Sequence, residues 1–374
     1  MDVLITILTF GVLLGVLIFV HELGHFIAAR RAGMLVEEFG FGFPPRLWGI
    51  KRGETTYSIN WIPFGGFVKI RGEDGGEEHD PRSFAAASFG RRALVLAAGV
   101  SMNFVLAFTL LWIVNAVGTT TAVGADQGPL PTGAIAGPAH VTITSVTSSS
   151  PAGAAGLRPG DEVLLVDGVT PTDERSVSSA VAAKAGSKLT LHVRRGGQEF
   201  DIRSTPRTSP PAGEGPLGVG LAVTALVRYP WYQAAWEAAK QTVFVAGQIF
   251  VVFGRLLHDL FTTGRVSSDV AGPVGIAVLT GHVRALGFVP LLQFAALLSV
   301  NLGVVNALPI PALDGGRLLF LLIERIRRRK VSKKVEQVIH SVGFAALLLL
   351  IAAISVRDVL HYDVIGKIKD LFHG

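Results

Sequence analysis

Two histidines and a glutamate pose the first chemical question. His21, Glu22 and His25 stand in Val20-His21-Glu22-Leu23-Gly24-His25-Phe26. On a helix, residues four apart lie roughly 40° apart around the axis, so both imidazoles leave one face. That spacing suits two nitrogen ligands of a single Zn²⁺, with Glu22 beside the ion as a general base. A plainer reading is a helix end where His and Glu meet a membrane surface. A catalytic zinc takes three protein ligands and keeps the remaining position for water, so one ligand is missing. Three sources are open. A metzincin-type continuation after His25 needs Gly and then His, and Ile27-Ala28-Ala29-Arg30-Arg31 supplies neither. Glu37 and Glu38 are close by, but Gly33 and a Gly/Pro-rich stretch interrupt any helix that would aim them. Asp314, in an apolar segment broken by proline, is the best choice; alternatively it is only the turn residue of Asp314-Gly315-Gly316.

The elements that must carry these residues are apolar. Of 374 residues, 49% are hydrophobic and 17% charged, and the mean hydropathy is +0.49. Soluble domains carry about 25% charged residues, so the composition predicts a membrane protein with soluble parts. The net charge is +6. The bases cluster beside apolar runs, which points to topology control by the positive-inside rule and away from nucleic acid. No cysteine is present, which excludes disulfides and thiolate ligands.

In chain order, residues 1–117 are expected to form a first membrane part. A transmembrane helix covers about 3–28; with Asp2 in place of a basic start and no small-x-small site after it, it reads as retained, not as a signal peptide. A loop over about 39–71 follows. Phe39 to Pro45 is too rich in Gly and Pro for a helix, and Thr55 to Ile70 alternates as strand, with Tyr57, Ile59 and Trp61 on one face and Thr56, Ser58 and Asn60 on the other. Pro63 and Gly65-Gly66 break it into a hairpin. So many aromatics suggest contact with the bilayer, the alternative being a surface hairpin with its own small core. A second span covers about 93–117, and in it Asn103 is either a helix-packing residue or a functional one.

Residues 118–225 are richer in Gly, Pro, Ser and Thr and read as a soluble domain. Strands are expected at Val141–Ile143, Glu162–Val166, Leu189–Val193 and Phe200–Arg203, with turns at Asp167-Gly168 and Gly196-Gly197. Residues 226–286 form a helical segment that lies along the membrane or under the soluble domain. If it crossed, the cluster from Arg325 to Lys334 would fall outside, against the positive-inside rule. Residues 287–374 form a second membrane part, with a proline-broken span at about 287–323 and a last one at about 342–356. The topology is four spans, with the N-terminus and soluble domain outside and the catalytic loops inside.

His21-Glu22-Leu23-Gly24-His25, Gly99 to Asn103, and Asn306 to Gly316 (Asn-Ala-Leu-Pro-Ile-Pro-Ala-Leu-Asp-Gly-Gly) together resemble the site-2 protease family of intramembrane zinc metalloproteases, in particular its bacterial RseP/RasP branch. The resemblance covers nearly the whole chain in order. It implies a polytopic α-helical membrane protein of four transmembrane helices, with HExxH and LDG on separate helices and a membrane-associated, re-entrant β-hairpin. An inserted α+β PDZ domain at about 138–222 is also implied, single where RseP has a tandem pair. Ser150-Pro151-Ala152, Ala155 to Asp161 and Gly215 to Val219 resemble PDZ elements, and Leu217, Gly218 and Val219 the loop that receives a peptide C-terminus.

Zinc held by His21, His25 and Asp314 would lower the pKa of bound water towards about 7, and Glu22 would take the proton and pass it to the leaving amine. Asn306 orients the substrate or its oxyanion, unless it only caps a helix. Asn103, Tyr57, Ile59 and Trp61 are further expected substrate contacts, the last three through an exposed edge strand that captures an unwound segment. The implied partners are single-span membrane proteins such as anti-sigma factors or remnant signal peptides, peptide C-termini or a pre-cleaved ectodomain at the PDZ domain, and the lipid bilayer of a bacterial cytoplasmic (inner) membrane. The rival reading is an inactive membrane PDZ scaffold. The intact His21, Glu22, His25 and Asp314 argue against it.

Overall fold

A computed structural model describes residues 2–73, 77, 79–123, 130–263, 271–329 and 331–362. The chain divides into two compact units. The first comprises Met1–Leu111, Ala238–Ala285 and Leu291–Gly374, the second Trp112–Glu237 and Leu286–Pro290.

The helices are α1 (Asp2–Arg31), α2 (Phe89–Val117), α3 (Pro151–Ala154), α4 (Glu174–Ala183), α5 (Trp231–Thr263), α6 (Pro273–Leu286), α7 (Phe288–Ala307), α8 (Asp314–Arg327) and α9 (Lys333–His361). Among the described residues, four helices are long and apolar enough to cross a membrane: Val3–Arg31, Phe89–Val117, Phe288–Ala307 and Lys334–His361. Their outward side chains fit that medium, since Val12 is 67% and Leu349 72% exposed, a burden of apolar surface that water does not tolerate over whole helices. The proline-broken segment resolves into two helices, because Pro309 and Pro311 fall in the turn that separates α7 from α8.

The fifth helix is not among the four. Its middle residues Val245, Ala246 and Ile249 pack on Phe104, Ala107, Val300 and Val304 of α2 and α7. The expectation of a helix along the membrane surface did not include this contact with two apolar spans. It arises because α5 is apolar on more than one face, with Val243 and Phe244 exposed on another.

Strands β1 (Val36–Arg52) and β2 (Thr55–Ile70) form a sheet folded back on itself. Glu38 to Phe41 align with Thr56 to Ile59 in the same direction and with Gly66 to Lys69 in the opposite one, while Arg46 to Arg52 align with Thr55 to Asn60. The segment Thr56–Ile59 is therefore flanked on both sides. This corrects the expected free edge at Tyr57: its backbone is already paired, and the outer edges are the segments 46–52 and 66–70. The side-chain pattern is inverted relative to a soluble hairpin. Ser58 and Asn60 are buried, whereas Leu47, Trp48, Ile50, Ile59, Trp61 and Ile62 are exposed. The sheet thus hides polar side chains and shows apolar ones.

The second unit holds a six-stranded sheet of order β3-β8-β4-β5-β6-β7, made of β3 (Thr119–Ala122), β4 (Ile135–Val146), β5 (Glu162–Val166), β6 (Leu189–Arg195), β7 (Gln198–Ser204) and β8 (Val219–Arg228). Every pairing is antiparallel. Asp167-Gly168 and Gly196-Gly197 both have two successive positive φ angles, the conformation of tight primed turns. Val177 and Val181 of α4 enter a core with Ile143, Leu189, Leu191 and Val193. Beneath it Asp161, fully buried, receives Arg195 through Nε at 2.6 Å and Nη2 at 2.7 Å.

Candidate metal centre

The first helix presents His21 and His25 on one face, both buried at 7% exposure. Their Nε2 atoms are 3.2 Å apart. Asp314, the first residue of α8, brings Oδ2 to 2.9 Å from His21 Nε2 and 3.3 Å from His25 Nε2. Among the described residues these three form the one group of His, Asp or Glu side chains converging closely enough for a metal ion. For ligands about 2.0–2.1 Å from a tetrahedral ion, ligand–ligand separations of about 3.3 Å are required, and the three distances match that geometry.

The protons decide what the group can hold. His25 Nδ1 lies 2.8 Å from the carbonyl oxygen of Val95. A carbonyl only accepts, so Nδ1 carries a hydrogen, and Nε2 is the ring atom left to face a metal. The imidazole of His21 has Asn103 behind it, with the side-chain amide 3.0 Å from Nδ1. Binding a metal through Nε2 requires Nδ1–H, which is satisfied when Asn103 turns its Oδ1 to the ring. Three lone-pair atoms then face one another with no hydrogen between them. Such a set is stable in a buried place only around a cation.

Asn103 is fully buried, and Ser299 Oγ donates to its backbone carbonyl oxygen at 2.8 Å. The expectation that Asn103 touches substrate is corrected: it is fully buried, with its amide against His21. Because a partner of this kind sets the tautomer and direction of the ring, Asn103→Leu should weaken Zn²⁺ binding about 10–100-fold. Asn103→Asp, which keeps an acceptor at the same place, should restore most of it. Competition titration with a chromophoric chelator measures both.

Close helix contact places these groups. A Cβ at Gly99 would run into the His25 imidazole, so α2 can approach α1 only with glycine there. Likewise a Cβ at Gly315 or Gly316 would strike carbonyl oxygens of Ala307, Leu308 or Ile310, which lets the start of α8 fold tightly against the end of α7. Asp314 also lies in the first turn of α8, where the helix dipole favours a carboxylate. The two nearer carboxylates are spoken for. Glu37 pairs with Lys69 at 3.0 Å and Arg71 at 3.2 Å, the Lys69 bond foremost in holding its carboxyl below the usual range. Glu38 takes both nitrogens of a fork from Arg46, at 3.2 Å and 2.6 Å.

Glu22 is half-buried beside the cluster, and a Cβ built at Gly66 would lie 3.6 Å from its Cγ. The outer edge strand 66–70 thus starts against Glu22. Asn306, in the last turn of α7, is half-buried and makes no side-chain hydrogen bond among the described residues, so its amide is available to a ligand. The Tyr57 ring packs on Phe26 at 6.0 Å and Phe39 at 6.5 Å, in an aromatic cluster against α1. It is not displayed for substrate as expected, because α1 covers that part of the sheet. Ile59 and Trp61 face outward and do not join the metal centre.

In the second unit, Leu217 is buried in the core and Gly218 has φ +72. The Gly218 amide donates to Gly215 O at 3.0 Å, its carbonyl accepts from Thr147, and Val219 begins β8. On β8, Val223 N–H donates to Glu174 Oε1 of α4 at 2.8 Å. The contacts missed by sequence reasoning, Val95 and Ser299, act through backbone groups or at long range and leave no local pattern.

Residues 9–350 match the model of peptidase family M50. A zinc metalloprotease RasP of Geobacillus kaustophilus is 30% identical, with 96% of this chain and 98% of the relative covered. The regulator of sigma-W protease RasP of Bacillus subtilis is 29% identical, with coverages of 95% and 98%. Among solved structures, the PDZ domain of an SdrC-like protein from Listeria monocytogenes is similar at 20% identity, over 22% of this chain and 86% of that one, with a TM-score of 0.20, a value that decides nothing about the fold. With the family model spanning most of the chain and relatives matched almost end to end, this chain belongs to peptidase family M50, the site-2 proteases, and is an intramembrane zinc metalloprotease.

Proposed function

We propose that His21, His25 and Asp314 hold the zinc, that Glu22 is the general base, and that the peptide bond cut lies in the transmembrane segment of a single-span membrane protein. The observation that carries this reading is the convergence of three lone-pair atoms between apolar helices. When bound, Zn²⁺ supplies a Lewis acid that polarises the scissile carbonyl and makes water nucleophilic near neutral pH. Glu22 takes the proton of the attacking water and delivers it to the leaving nitrogen. The side-chain amide of Asn306 meets the substrate backbone or the developing oxyanion.

A transmembrane helix hides its peptide bonds, so it must unwind before it is cut. The edge 66–70, which no other strand pairs among the described residues on its outer side, is the place for an extended segment to add. An added strand would pass Glu22, against which Gly66 lies. The positive-inside rule supports a bacterial inner-membrane location with the metal centre toward the cytoplasm, since Arg30, Arg31, Arg91 and Arg92 flank the ends of α1 and α2 nearer to it. The sheet domain then lies outside. Its PDZ-like features, the Leu217-Gly218-Val219 turn and the α4–β8 pairing, support binding of a peptide C-terminus or a trimmed ectodomain. The sigma-W regulator among the relatives favours an anti-sigma factor as substrate.

The test is cleavage of a model single-span substrate by purified protein in detergent. A chelator should abolish cleavage and equimolar Zn²⁺ restore it, while the same peptide sequence folded within a water-soluble domain should stay intact. Cleavage that survives removal of the metal, or that is equal for the soluble domain, would overturn the reading.

A further inference from the structure

The loop that presents Asp314 is held from a helix that contributes no ligand. Between α7 and α8 the chain turns through Leu308 to Leu313, with internal bonds from Ile310 N–H to Leu308 O at 2.7 Å and from Leu313 N–H to Ile310 O at 3.2 Å. Ala312 has φ +75, in the left-handed region that residues other than glycine seldom enter. Something must keep it there. Its amide donates to His340 Nδ1 of α9 at 2.8 Å. One turn further along α9, a Cβ at Gly343 would collide with the Pro311 ring, so the helix lies directly on the loop. The Phe320 ring of α8 packs beside the imidazole, centroids 5.3 Å apart. His340 thus touches both sides of Asp314: the turn before it and the helix after it.

We propose that His340 is a positioning residue for the reaction, fixing the Ala312 amide so that Asp314 enters α8 with Oδ2 aimed at the histidine pair. The inference rests on reading Asp314 as a zinc ligand. The bond requires a lone pair on Nδ1, so the ring is neutral and carries its hydrogen on Nε2, which is buried and has no partner among the described residues. A ring kept for packing alone would gain nothing from burying an unsatisfied nitrogen. What it gains here is an acceptor for the part-buried amide of a residue held at φ +75. A metal ligand has to be held within about 0.5 Å of its productive position, and Ala312, at φ +75, lies two residues before Asp314.

The test compares wild type, His340→Phe and His340→Asn in the full-length protein in detergent. His340→Phe keeps an aromatic ring beside Phe320 but has no acceptor. His340→Asn sets its Oδ1 near the place of Nδ1. Zn²⁺ affinity is read by chelator competition, and kcat and KM by cleavage of the single-span substrate. The expected result is about 10–100-fold weaker Zn²⁺ binding in His340→Phe, a fall in kcat with KM nearly unchanged, and recovery of both in His340→Asn to within about 3-fold of wild type. Wild-type zinc affinity in His340→Phe overturns the inference, as does equal impairment of the two variants. If His340→Phe does not fold, His340→Leu and His340→Asn supply the same contrast. Asp314→Ala separates the premises: if it keeps zinc, the ligand assignment fails; if it loses zinc while His340→Phe binds normally, only the role of His340 fails.

Discussion

Glu22→Gln should still bind one Zn²⁺ per chain and should cut the single-span substrate about 10²–10⁴-fold more slowly. Glutamine has nearly the same volume and keeps one oxygen and a donor in place, so the packing of Glu22 against Gly66 and α1 survives. What it lacks is a site that takes a proton and gives it back. None of the three converging atoms belongs to Glu22, so the metal should remain. Zinc content after gel filtration and single-turnover cleavage measure the two halves separately. Wild-type cleavage by Glu22→Gln would require another base, and the carboxylates Glu37, Glu38 and Glu73 are each held in an ion pair.

Asp314→Ala should lose the metal itself. Two imidazoles leave a catalytic zinc one protein ligand short, and no other carboxylate joins the cluster among the described residues. Cleavage should fall below detection at any Zn²⁺ concentration that does not precipitate the protein. A thermal readout is independent of activity. An ion that binds the folded chain raises its stability by about 2.7 kcal/mol at a hundredfold excess over Kd, so the unfolding temperature of wild type should rise as Zn²⁺ is added and that of Asp314→Ala should not. A variant that keeps stoichiometric zinc would remove Asp314 from the ligand set.

The reach of sequence reasoning follows from the range of the forces involved. His21, Glu22 and His25 were legible because helix periodicity alone puts two residues four apart on one face. The break before α8 was legible because proline removes an amide hydrogen and fixes φ, wherever it stands. Asp167-Gly168 and Gly196-Gly197 announced their turns for the same local reason. The four apolar helices needed only length and composition. Each of these depends on residues within a few positions of one another.

Contacts between distant segments were not legible. Asn103 read as packing or as substrate contact, and only the approach of α2 to α1, possible because Gly99 has no Cβ, put its amide behind His21. The alternation of Tyr57, Ile59 and Trp61 identified a strand correctly but could not say that Glu38 to Phe41 would pair along it and leave the free edge at 66–70. Nor could alternation tell which face is buried, since period two is the same either way round. The hold of His340 on Ala312 leaves no motif at all. The sequence by itself determined that His21, Glu22 and His25 lie on one turn of one helix, because helix periodicity needs only near neighbours. Only the tertiary structure decided that Asp314, the carboxylate the sequence already favoured, reaches both histidines and what holds its loop there, because those contacts join α1 to α8 and the loop to α9.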